Sequence, residues 1–138
     1  MQLTQTQIAS IRKTHAKLMG RADEIGKEFY ADLFNRIPEA RTLFRDDLTD
    51  QGMRFMAAIH VIVDHLDDLP AMQEEVDKLA SGHAVMNIKP DWYRQMQEAL
   101  IDTFAYALGA DFTNEAELAW RSAFAQICDR MIAFKQSA

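Results

Sequence analysis

Apolar residues recur along this chain at intervals of three and four almost from end to end, and no segment alternates with a period of two. That spacing lays one apolar stripe along each of a series of helices. Thr4-Gln5-Thr6-Gln7 has the form of a capping box opening a first helix, with Ile8, Ile11 and Leu18 inward and Gly20 breaking it. A second helix carries Ile25, Phe29, Tyr30, Leu33 and Phe34 on one broad stripe. Pro38 stands where the first turn of a short third helix begins, and that helix ends at Leu43-Phe44. The polar run Arg45 to Asp50 reads as a loop, with Thr49 or Asp50 capping the next helix. That long helix turns Gln51, Phe55, Ala58, Ile59, Ile62 and Leu66 inward until Asp67-Asp68-Leu69-Pro70 punctuates it. A further helix runs from about Pro70 to about Met86. After Pro90, Tyr93, Met96, Leu100 and Phe104 face inward on a helix that stops near Gly109. Thr113 or Asn114 caps the last helix, whose stripe is Trp120, Phe124, Ile127, Met131 and Phe134. The expectation is an all-α chain of helices of unequal length, which does not suit a regular four-helix bundle.

Composition narrows the function more than the fold. With 138 residues, no internal repeat and no linker, the chain reads as a single domain over residues 1–138. Its 49% apolar and 26% charged content is that of an ordinary globular protein. No secretory signal and no membrane-spanning run is visible, so a cytoplasmic setting is expected. A net charge of −6 argues against nucleic acid as a partner. The one cysteine, Cys128, leaves no intrachain disulfide and no Cys-rich metal site, and reads as a small buried helix residue. Eight Met and eight Phe suit either a large adaptable pocket or a helical core.

The candidate chemistry gathers at one helix end. Val76, Leu79 and His83 share a face at i, i+3 and i+7, and Asn87 and Pro90 then stop the helix. A histidine facing inward is costly unless its nitrogens find partners. It is therefore either a core residue bonded to a carbonyl or a metal ligand, the commonest role of neutral imidazole in metal sites. His15, His60 and His65 carry no such signal and read as surface or satisfied residues.

Several stretches together carry a resemblance. They are Phe29-Tyr30-Ala31-Asp32-Leu33-Phe34, Pro38 to Leu43-Phe44, Gln51-Gly52-Met53-Arg54-Phe55, Leu69-Pro70, Leu79-Ala80 with His83, Tyr93, and Ala119-Trp120. In this order and spacing the chain resembles a bacterial single-domain globin, similar to the globin domain of flavohaemoglobins. The resemblance implies a globin fold of six to eight helices around a pocket for haem b. It assigns His83 as the ligand of the haem iron, with its other ring nitrogen donating to a carbonyl near Leu79. It makes Tyr30 the distal donor to dioxygen, with Gln51 donating to the ligand or to the Tyr30 hydroxyl. Phe44 wedges against the haem face, and Phe55, where Leu is usual, roofs the distal pocket and narrows it. Arg54 pairs with a haem propionate or stays solvated. Ile88 packs on the porphyrin edge, and Tyr93 belongs to the network around the proximal histidine.

Two departures bear on function. The flavohaemoglobin pattern has a Glu in the last helix that enriches the proximal imidazole, and Lys135 stands at that position here. Weak peroxidase activity is therefore expected. The chain also ends at Ala138, which leaves no room for a flavin-bearing reductase. The implied function is reversible binding of dioxygen and other diatomic gases such as nitric oxide and carbon monoxide, with no catalytic residue, in a monomer or weak homodimer. The alternatives are a nitric oxide dioxygenase served by a separate reductase, and a haem-free regulatory module.

Overall fold

The computed structural model describes residues 2–44, 47–86 and 88–137, and for residues 84, 85 and 135–137 the backbone course alone. Among the described residues there are six α-helices, two 3-10 segments and no strand. The helices are α1 (Gln5–Met19), α2 (Ala22–Arg36), α3 (Leu48–Asp64), α4 (Leu69–Val85), α5 (Pro90–Leu108) and α6 (Asn114–Ser137). The 3-10 segments are Pro38–Leu43 and Gly109–Asp111. No described helix is long and apolar enough to cross a membrane.

Local chemistry sets most of the boundaries. The capping box at α1 forms, since the Gln7 amide donates to the Thr4 hydroxyl at 3.0 Å and the Thr4 amide to the Gln7 side chain at 2.9 Å. The cap of α3 differs from expectation. Asp47, rather than Thr49 or Asp50, accepts the Thr49 amide at 2.9 Å and starts the helix earlier. A carboxylate two residues ahead of a free amide makes this bond with the least backbone distortion. Of the predicted loop, Arg45 and Asp46 lie outside the described residues, as does the predicted stop at Asn87. At the end of α5, Gly109 takes φ +55°, a conformation that side chains beyond glycine rarely adopt.

One helix crossing positions the cavity. A Cβ on Gly26 would stand 2.7 Å from the Gly52 backbone, and a Cβ on Gly52 would stand 2.9 Å from the Gly26 carbonyl carbon. The backbones of α2 and α3 therefore touch, which only glycine on both sides permits. Tyr30 lies one turn beyond this contact on α2, and Gln51 and Phe55 flank it on α3. The opposite wall is α4 packed on α6, tied by Arg130, which donates to both Asp77 carboxylate oxygens at 2.8 and 2.9 Å. Behind them, Trp120 packs edge-on against Phe104 and donates its indole N–H to Thr14 at 2.8 Å, joining α6 to α5 and α1.

Candidate functional site: a cavity between two helical walls

Between these walls lies a cavity of about 230 Å³. That exceeds the roughly 150 Å³ that admits a benzene-sized guest. Its lining is overwhelmingly apolar, and the polar groups in it are few: Tyr30, Gln51, Arg54, His83, Gln97 and Cys128. Sparse, separated polar groups in an apolar hollow orient a ligand rather than dissolve it.

His83 projects from the last turn of α4 and lines the cavity. Its Nδ1 lies 2.7 Å from the Leu79 carbonyl. A carbonyl only accepts, so Nδ1 carries a proton there, and Nε2 is the ring nitrogen left to coordinate a metal. The α-helix supplies this partner one turn back along the same chain, so the ring orientation is built into the helix.

On the other wall Tyr30 is buried, with its ring edge-on to Phe29 at 5.0 Å and Phe44 at 5.2 Å between centroids. Phe55 stacks on Phe29 at 4.3 Å and 8°, and also meets Tyr30 edge-on at 5.9 Å. The Phe55 ring thus lies flat along α2 and becomes part of the clamp on Tyr30. Gln51 donates its side-chain N–H to the Tyr30 oxygen at 3.2 Å. Burial raises the Tyr30 pKa above the ordinary phenol value, against smaller opposing effects of the Gln51 hydrogen bond and the Arg54 charge. The phenol stays protonated at neutral pH, and with its oxygen already accepting from Gln51, its own proton remains to be donated.

Arg54 is exposed at the rim, and no described carboxylate pairs with it. Phe44, Phe55 and Ile88 line the cavity, as the resemblance implies. Tyr93 does not line it. It stands behind His83, buried, with ring centroids 6.1 Å apart. Burial, with a lesser effect of Cys128, pushes the Tyr93 hydroxyl up to about 12.

The spacing misses two polar groups of this wall. Gln97 lines the cavity, and so does Cys128, whose thiol burial pushes up to about 12 and to which the Gln97 side chain hydrogen-bonds. Cys128 lies one residue past Ile127 and three before Met131, so its place on the inner face was available from the stripe. The Lys135 side chain lies outside the described residues. His15 corrects the expectation for the remaining histidines. It is buried, and among the described residues nothing bonds its Nε2.

The donor set tests which group fits this cavity. Among the described residues no three His, Cys, Asp or Glu converge to hold a bare metal ion. A single available imidazole nitrogen suits a metal whose remaining ligands arrive with it, in a flat apolar macrocycle. The apolar walls accept such a ring, and the Arg54 cation at the rim suits its acidic edge. The residues therefore fit haem.

Comparison with known proteins agrees. A family model described as Globin matches residues 27–131. The chain is 30% identical over 125 residues to a flavohemoprotein of Halalkalibacterium halodurans, covering 88% of this chain and 30% of that protein. It is 29% identical to a flavohemoprotein of Vibrio cholerae, over 88% of this chain and 32% of that one. It is 31% identical over 129 residues to hemoglobin subunit zeta of Homo sapiens, over 87% of this chain and 89% of that one. The chain thus spans about a third of the length of the flavohemoproteins it matches.

Proposed function

Because the chain belongs to the globin family of haem-binding proteins, we propose that it is one globin domain that carries haem b on His83 and reversibly binds dioxygen and related diatomic gases. The observation that supports this reading best is the pairing of an imidazole held by the Leu79 carbonyl on one wall with a protonated phenol on the other. Ferrous haem supplies a coordination position at which a diatomic gas is held. His83 Nε2 would hold the cofactor, and the Nδ1 bond to Leu79 keeps the ring aimed. Arg54 would pair with a propionate at the rim, and Ile88 and Phe44 would pack on the ring. Tyr30 would donate a hydrogen bond from its hydroxyl to a gas that gains negative charge on binding, as dioxygen does and carbon monoxide hardly does. Gln51 donates to the Tyr30 oxygen and thereby strengthens Tyr30 as a donor. Phe29, Phe44 and Phe55 hold the phenol and keep water from it.

Tyr93 behind His83 and Cys128 on the cavity lining both stay protonated at neutral pH and add no negative charge there. That environment favours holding dioxygen over cleaving it. A second reading, nitric oxide dioxygenation with electrons from a separate reductase, rests on the likeness to flavohemoproteins. A rate of ferric reduction by cellular reductases fast enough for turnover would favour it. We place the protein in the cytoplasm as a monomer or weak homodimer.

Absorption spectra of purified protein expressed with ample haem test the reading. The wild type is expected to show an intense Soret band that shifts on reduction and again with carbon monoxide, and His83→Ala is expected to lose or alter it. A wild type that takes up no haem, after reconstitution as well, would leave a regulatory module as the better reading.

A further inference from the structure

Away from the cavity, α1 carries Ile8, Ile11, His15 and Leu18 at intervals of three, four and three, all buried. His15 is 6% exposed, and no described group bonds its Nε2. Its ring stacks on that of His60 of α3 at 5.3 Å between centroids and 18° between planes. His60 is exposed, one turn before Asp64. We propose that this pair is an acid-sensitive latch: with His15 neutral the stack seats α1 on α3, and protonation of His15 releases α1.

The physical argument starts from the orphan nitrogen. A buried neutral imidazole nitrogen without a partner costs little more than its lost hydration. Once it takes a proton, an unpartnered N–H and a positive charge are both buried, at a much larger cost. The surroundings agree. Burial, and then the neighbouring His60, hold the His15 pKa below the ordinary imidazole value, with Asp64 opposing them more weakly. Those two α3 residues are the charged or titratable groups acting on His15, and among the described residues no charge from α2, α5 or α6, the other helices packed on α1, does so. The folded state therefore binds fewer protons than the unfolded one. The latch contributes fully above a pH of about 6.5, and its contribution falls as pH drops below that value. The other ties of α1 include the Trp120–Thr14 hydrogen bond and the exposed Arg12–Asp67 and Lys17–Asp111 ion pairs, each at 3.2 Å.

Trp120 supplies a reporter, because its indole N–H is protected only while it donates to Thr14, next to His15. Hydrogen exchange would be followed by NMR on the haem-loaded, reduced, carbon monoxide form at pH 7.5 and 5.5. Protection factors of the α1 amides and of the Trp120 indole are expected to fall at least about threefold between these values. The upper limit is about tenfold, that of one unperturbed imidazole a unit below its pKa. In His15→Phe, which keeps a ring but cannot titrate, they are expected to change less than about 1.5-fold. An equal fall in both proteins would overturn the proposal. Should His15→Phe not fold, the wild type decides alone through the ring-proton titration of His15. A midpoint below about 6.5 supports the latch, and one at or above it overturns it.

Discussion

On the His83 wall one backbone carbonyl, a turn away on the same helix, sets the orientation of the functional ring. On the Tyr30 wall the same task takes aromatic rings from α2, α3 and the chain between them, together with an amide from α3. The first wall is local, and the second exists only because α2 and α3 touch at Gly26 and Gly52. A nitrogen that must hold a cofactor needs one direction and no charge. A proton that must meet a small ligand needs its whole side chain fixed. The difference predicts that the Tyr30 wall is the more sensitive to distant changes in packing.

The largest way to break the comparison is to separate the helices. Gly26→Ala forces backbone atoms apart and is expected to cost about 2 kcal/mol of stability. Urea unfolding of the carbon monoxide form reads this. Dioxygen loss should accelerate in the same variant, while the band expected from His83 ligation is retained. Equal damage to both functions would mean that the walls are not independent.

A smaller change removes the amide alone. Gln51→Leu leaves Tyr30 protonated but no longer supported, and dioxygen dissociation is expected to rise about two- to fivefold, the worth of one modest neutral hydrogen bond. Because burial raises the Tyr30 pKa, the wild-type rate should stay flat from neutral pH up to the ordinary phenol range. A rise between pH 8 and 9 would mean that the phenol ionises early and is not held as described.

The smallest effects are expected behind His83. Tyr93→Phe and Cys128→Ala remove groups that are already neutral, so peroxidase activity should stay weak and change less than about twofold. For the same reason the Cys128 thiol should resist alkylating reagents at pH 8 in the folded protein, whereas fast labelling would show it to be open to solvent.

How much of this was legible in the sequence follows the same division. His83 and Leu79 sit on one helix, so spacing placed His83 on the inner face and the resemblance supplied its Leu79 partner. Tyr30, Gln51 and Phe55 lie on inward stripes and were found, but the flat stacking of Phe55 on Phe29 was not. It depends on how two helices cross, and the glycine pair that sets the crossing leaves no periodic trace. The cap of α3 fell at Asp47 because Asp47, Thr49 and Asp50 stand within four residues as equivalent caps, and backbone geometry chooses among them. Tyr93 was expected in the network around His83; it stands behind that ring and outside the cavity lining, a depth that an inward stripe does not give. His15 shares the stripe of Ile11 and Leu18, and its position signalled burial more strongly than its residue type signalled exposure.

The most direct test of the account is stopped-flow displacement of dioxygen by carbon monoxide in the wild type and in Tyr30→Phe, with the carbon monoxide off-rate measured beside it. Loss of a donor bond worth at least about 1.5 kcal/mol should raise the dioxygen off-rate tenfold or more and leave carbon monoxide within about threefold. An unchanged dioxygen rate would show that Tyr30 is not the ligand's donor, and equal acceleration of both gases would show that the ring acts by filling space alone.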